Sequence, residues 1–425
     1  MKETWFGHPR GLTVLFFTNM WEQFSFYGMR AILVYYMTKQ LLLAQDSSSI
    51  IYGIYTGCAY FTPLIGGFIA DRVLGKKRAI IIGGSVMALG HFMMTQEPLF
   101  YVALVTIAIG NGLFLPSLPS QIRDLYKPGD PRAGRAYNVY YVGVNIGGFL
   151  AMLVCGALGE TLGWHWGFGA AGVGMVTGLL FYLWGQRYLP AQALQPRAQL
   201  PSAIRETMSR DTLLLLFGLG VAVAVFRSAY EQVGNTVALW ADVGVDKMVG
   251  QFSIPMTWFI SLNPLCVMLI TPFLLAWWRK REAAGIPQVP TQRMATGALI
   301  VGASYLFLAA LSWKAGNVAI HWQWFALFWV VLTFGELFIL PTGIGLFARL
   351  APQRLGATTV ASWFLATFAG NLAAGLVGTL WTRMSHPAFF TLLAAICMVS
   401  AVGLRLMDAR ARQVSPEFRP QTDPD

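Results

Sequence analysis

Twelve apolar runs dominate this sequence and leave few folds open to it. They lie at about 11–38, 49–71, 79–96, 98–118, 136–158, 164–186, 212–240, 253–278, 294–313, 321–347, 356–382 and 386–407. About 20 mainly apolar residues in a helix cross the hydrocarbon core of a bilayer. Lipid offers no partner to a backbone N–H or C=O, so runs of this length read as helices that satisfy themselves. Composition excludes the water-soluble alternative. Of 425 residues, 56% are hydrophobic and 12% charged, against roughly a quarter charged in soluble domains. The expected class is an all-α, multi-pass membrane protein.

The positive charge sorts by position. Twenty-four of the 30 Lys and Arg residues lie in the N-terminal segment, the loops after even-numbered runs and the C-terminal segment. The opposite loops hold Lys39, Lys247, Lys314 and Arg383, while Arg30 and Arg227 fall inside runs. The positive-inside rule then predicts cytoplasmic termini. It also accounts for the net charge of +11 as topology, so nucleic acid is not an expected partner. The start, MKETWFGHPRG, leads straight into a full-length run and predicts no cleavable signal peptide.

The longest polar interval, 187–211, divides the runs six and six. It predicts an N-terminal bundle at 1–186, a cytoplasmic linker at 187–211, a C-terminal bundle at 212–407 and a cytoplasmic tail at 408–425. Two six-helix bundles suggest the major facilitator fold, with 12 transmembrane helices and the substrate near the midplane between halves. The turn DRVLGKKR, Asp71 to Arg78, resembles the gating motif that this fold carries between its second and third helices.

Several polar residues interrupt the apolar runs. Charge at bilayer depth costs a few kcal/mol on insertion scales and commonly serves a site. At about 100° per residue, Asn19, Gln23, Phe26 and Arg30 form one stripe of the first run, with Glu22 beside it. Arg227, Glu231 and Asn235 share a face of the seventh, and Glu336 lies in the tenth. Both stripes are expected to face one cavity. The structural alternative is an Arg227–Glu231 pair that only holds its own helix. Tyr27, Tyr35, Tyr60, Tyr141, Trp258 and Trp363 lie at similar depth, where aromatic walls with a few polar groups suit a small polar ligand. Packing or an aromatic belt explains any one of them equally well. Cys58, Cys155, Cys266 and Cys397 sit in apolar runs at irregular spacing, as buried hydrophobes do. No Ser–His–acid pattern, metal-ligand spacing or phosphate loop appears, so neither enzyme nor cofactor is expected.

These residues resemble, in order, the signatures of the proton-dependent oligopeptide transporters, a major facilitator family. The matching segments are WEQFSFYGMRAIL, GGFIADRVLGKKRA, GNGLFLPSLPSQIRDLYKPGDPRAGRAYNVYYVGVNIGGFLA, YEQVGNT, LNPL, GELFILPTG and WFLATFAGNLAAG. The resemblance implies a transporter of di- and tripeptides or peptide-like compounds. Arg30 would hold the substrate carboxylate bidentately, as a planar guanidinium does well. Glu231 would pair with Arg30 in the empty site and meet the substrate amine. Asn145, Asn263 and Glu336 would contact peptide backbone or amino terminus, and Tyr27, Tyr60, Trp258 and Trp363 would line side-chain pockets.

The chain departs from the family pattern in ways that bear on coupling. The first-helix motif E-x-x-E-R reads N-x-x-E-Q, so Asn19 and Gln23 replace a carboxylate and an arginine. The family's fourth-helix lysine is Leu115, the serine of the tenth-helix step is Leu340, and no extra helix pair fits in the linker. Proton coupling needs a carboxyl whose affinity for protons changes with conformation. Asn19 and Gln23 keep hydrogen bonds but cannot titrate. Coupling is therefore expected to be weakened, or confined to Glu22 and Glu231 with Arg227 replacing the missing cation. Leu115 and Leu340 favour an apolar or modified peptide. Competing readings are an exporter of peptide-like or amphipathic compounds and a peptide-binding receptor. The expected setting is a bacterial inner membrane, with a monomer in the lipid bilayer and protons as a possible partner.

Overall fold

A computed structural model describes residues 7–127, 130, 132–190, 209–286, 289–316, 318–350 and 356–414. The linker portion 191–208 and the tail portion 415–425 lie outside the described residues. The helices are α1 (Arg10–Tyr35), α2 (Gln45–Ile69), α3 (Lys76–Met93), α4 (Phe100–Asp124), α5 (Arg132–Leu162), α6 (Trp164–Gly185) and α7 (Arg210–Tyr230). They continue as α8 (Thr236–Gly244), α9 (Met256–Ala283), α10 (Pro290–Ala315), α11 (Trp322–Arg349), α12 (Gly356–Gly378), α13 (His386–Leu406) and the short α14 (Asp408–Val414). Among the described residues, 10 helical segments are long and apolar enough to span a membrane. The segments built on α1 and α3 are not among them. The first is diluted by Asn19, Glu22, Gln23 and Arg30, and the second is 18 residues long and opens on Lys76, Lys77 and Arg78. Among the described residues, strand is confined to residue pairs: Val245–Asp246 runs parallel to Ile320–His321, and Met248–Val249 forms a hairpin with Phe252–Ser253.

The helices group into two compact units. The first comprises Met1–Leu43, Cys58–Ala198 and Ile254–Leu265; the second comprises Ala44–Gly57, Gln199–Ser253 and Cys266–Asp425. In the first unit, glycines let helices approach closely, the common means of packing in lipid. A Cβ on Gly143 of α5 would meet Phe16 of α1 at 3.1 Å, and one on Gly147 would run into the Met20 carbonyl. Gly83 of α3 and Gly110 of α4 bring those helices together in the same way. Leu15, Ile80, Phe114, Ile122, Met175 and Tyr182 fill the core they enclose.

The second unit follows the same rules. A Cβ on Gly297 of α10 would stand 2.6 Å from the Gly335 carbonyl of α11. Ser400 of α13 donates to the Ala222 carbonyl at 2.7 Å, and Tyr305 of α10 donates to that of Ala229 at 2.8 Å, both on α7. Large apolar side chains such as Phe217, Phe273 and Trp313 are exposed at 72%, 78% and 79%. Water would penalise such a surface; acyl chains welcome it.

Candidate functional site

In the first unit the polar stripe of α1 lies against α5. Asn19 Nδ2 donates to the Tyr140 carbonyl at 3.2 Å, and Gln23 Nε2 donates to Glu22 Oε2 at 2.6 Å. All three side chains are buried, with Glu22 exposed by only 1%. Asn19 thus fastens α1 to α5, and Gln23 supplies Glu22 with a neutral donor. Tyr27 lies over Gly148, where a Cβ would touch its ring at 3.3 Å. Arg30 is half-buried one turn further along α1. Asn145 turns back on its own helix and donates to the Tyr141 carbonyl at 2.9 Å. Trp258, at the start of α9, donates its indole N–H to the Leu153 carbonyl of α5 at 3.1 Å. Tyr60 of α2 and Asn263 of α9 are half-buried.

The gating candidates of this unit lie elsewhere. Asp71 is exposed in a widened helical turn, Ala70–Leu74, that follows α2. Gly75 ends that turn at φ +76°, a conformation glycine adopts without strain. Lys76 then pairs with Asp124 of α4 at 2.7 Å. Leu115 is half-buried on α4, beside Pro116 within the helix.

In the second unit α7 changes character at its acidic residue. Arg227 Nη2 lies 2.5 Å from Glu231 Oε1, and the two side chains are exposed by 4% and 1%. The Arg227 guanidinium also stands 5.5 Å from the centre of the Tyr230 ring, a cation–π contact. Tyr230 in turn lies near Glu336 of α11, so two carboxylates and one guanidinium gather about one phenol. At Glu231 the backbone tightens into a 3₁₀ turn, Glu231–Gly234, before α8 resumes. Side-chain amides reach out from this break. Gln232 Nε2 donates to the Ala374 carbonyl of α12 at 2.7 Å, and Asn235 Nδ2 donates to Ser49 of α2 at 2.9 Å. A helix broken at bilayer depth needs such partners, and transporter sites are commonly built on one.

Trp363 of α12 is buried, with its ring edge-on to Phe347 at 5.4 Å, and Gly343 of α11 leaves the room its indole fills. Of the sequence candidates, the structure groups Asn19, Glu22 and Gln23 in one unit and Arg227, Glu231 and Glu336 in the other. Sequence reasoning missed Gln232 as a brace of the break and Glu160, which meets α9 across 96 residues of chain. Only the paired polar types in YEQVGNT hinted at the first; nothing local marks the second.

Known proteins match this chain over most of its length. The sequence profile of the POT family matches residues 77–199 and 196–392. The peptide transporter YePEPT of Yersinia enterocolitica is 31% identical, with 88% of each chain covered. The di-/tripeptide transporter of Lactococcus lactis subsp. cremoris is 27% identical over 96% of each. Among solved structures, the crystal structure of peptide transporter POT in complex with sulfate superposes with a TM-score of 0.89 at 28% identity, covering 97% of both chains. A near-complete match in sequence and in fold leaves one assignment: this chain belongs to the POT family of membrane transporters.

Proposed function

We propose that this protein carries di- and tripeptides, or peptide-like compounds, across a bacterial inner membrane by alternating access. The reading includes 12 membrane spans in two six-helix bundles, 1–186 and 212–407, with the linker 187–211, the tail 408–425 and both termini in the cytoplasm. The observation that carries it is the near full-length likeness to relatives named as peptide transporters, in a chain that buries charged side chains among apolar helices.

Each candidate residue has a role. Arg30 grips the substrate carboxylate through two parallel hydrogen bonds, and Glu231 meets the amine. Asn145, Asn263 and Glu336 bond to the peptide backbone or amino terminus, while Tyr27, Tyr60, Trp258 and Trp363 wall the side-chain pockets. Asp71 and Leu115 belong to the gating elements. Coupling to protons is weakened and rests on Glu22 and Glu231, with Arg227 in place of the family's lost cation. Three observations support that last point: Asn19 and Gln23 cannot titrate, Glu22 is buried against Gln23, and Glu231 is buried against Arg227.

Peptide uptake into proteoliposomes, at fixed outside pH with and without a proton gradient, tests the reading. Weak dependence on the gradient and a preference for bulky apolar dipeptides over dialanine are expected. No uptake of any member of a di- and tripeptide library would overturn the substrate class. Strong accumulation that Glu231→Gln abolishes and Glu22→Gln leaves intact would remove Glu22 from the coupling.

A further inference from the structure

The first turn of α9 has free N–H groups, as every helix start does, and a distant carboxylate satisfies them. Glu160, near the end of α5, accepts the Met256 N–H on Oε2 at 2.8 Å. Its Oε1 accepts the Thr257 N–H at 2.9 Å and the Thr257 hydroxyl at 2.7 Å. The bonds are charge-assisted, and the anion sits at the positive end of the helix dipole. Gly156, one turn before Glu160, admits Thr257, whose side chain occupies the place of a Cβ. Trp258, next in the chain, donates to Leu153 of the same helix. Met256 and Thr257 are exposed by 1% and 0%.

The first turn of α2 is tied differently. Gln45 donates to Ser49 and to the Gly378 carbonyl, and Ser49 exchanges hydrogen bonds with Asn235, all of them neutral groups. Of these two helix starts, the one at α9 uses an ion. Its donors are buried while the contact is closed, and at a helix end water takes the carboxylate's place once the helices part. Such a contact can be strong when closed and still open readily.

We propose that Glu160 is a reversible latch: it holds the outer ends of α5 and α9 together, seats Trp258 against Leu153, and releases once per transport cycle. This rests on the alternating-access reading, in which these ends lie on the side poor in Lys and Arg. Glu160 acts through α9 and Trp258, as a positioning residue.

Thiol labelling in spheroplasts tests it. Cys58, Cys155, Cys266 and Cys397 are replaced by serine, and Met256→Cys is introduced, which leaves the backbone bond to Glu160 in place. A membrane-impermeant maleimide added outside should label the new thiol slowly, faster with dialanine present, and about tenfold faster with Glu160→Gln, since one acceptor is lost. No labelling in either background, or equal labelling in both, overturns the latch. A second measurement uses the chain with its native cysteines: Glu160→Gln should alter peptide counterflow kcat at little cost in melting temperature. A lowered melting temperature with unchanged kcat and KM identifies a passive strut instead. Wild-type uptake of the di- and tripeptide library is read separately. Labelling that responds to Glu160→Gln without any uptake keeps the latch and discards the peptide.

Discussion

Arg227 in the last turn of α7 and Glu231 just past its end stand one turn apart, both buried, with guanidinium nitrogen and carboxylate oxygen 2.5 Å apart. Removing two ions from water is expensive, and their attraction offsets this only while both remain. Arg227→Gln or Glu231→Gln alone should therefore cost about 3–5 kcal/mol, while the double replacement recovers most of it. Thermal unfolding in detergent reads the cycle; simply additive losses would show that the pair is not coupled. Peptide uptake should stay low in the double variant despite its recovered stability, because a neutral amide cannot meet an ammonium as a carboxylate does.

Gly147 and Gly134, both on α5, should respond oppositely to the same change. A methyl on Gly147 presses on Met20 and stands 3.1 Å from Gln23 Cβ, whereas nothing lies within 4 Å of one on Gly134. Gly147→Ala should cost about 1–3 kcal/mol by overpacking and slow uptake as Gln23 shifts. Gly134→Ala should be neutral or raise stability slightly through lower unfolded-state entropy. Equal melting temperatures for the two would argue against the tight α1–α5 seam.

The loop before α5 carries a pH signature. Asp130 accepts three hydrogen bonds from the Arg132 side chain and one from its backbone N–H, which hold the carboxyl below its ordinary value. A carboxyl lowered on folding contributes stability above its unfolded pKa and loses it as pH falls through the folded value. The difference in melting temperature between the native protein and Asp130→Asn should stay constant from about pH 8 to pH 5 and shrink below about pH 4. A difference that grows on acidification would reverse the sign and refute the pairing.

Leu340, half-buried just before the helix-interior Pro341 of α11, offers a test of specificity. Leu340→Ser should raise dialanine uptake relative to that of dileucine by about tenfold, the usual scale for one apolar contact. An unchanged ratio would remove this position from the pocket.

What the sequence reveals depends on how far apart the partners lie along the chain. The Arg227–Glu231 pair is legible from its four-residue spacing, and α1 is legible as a long helix despite its polar stripe. The break at Glu231–Gly234 is not, because the apolar run of 212–240 resumes on the far side of it. Gln232 and Asn235 brace it by bonding to α12 and α2, at separations of 142 and 186 residues. Glu160 escapes for the same reason: a carboxylate at a helix end looks like any solvated residue until its partner, 97 residues on, is in place. The widened turns at Tyr36–Gln40 and Ala70–Leu74 also leave no mark in residue type.

The interrupted ladder between α7 and α8 gives the membrane segment Arg210–Gly244 the mechanics of an articulated lever. The two pieces meet at Asn235, whose φ of −121° and ψ of −99° belong to neither helix. Glu231 sits beside that fulcrum. A tilt of α8 about that point would re-aim its carboxylate while scarcely translating it.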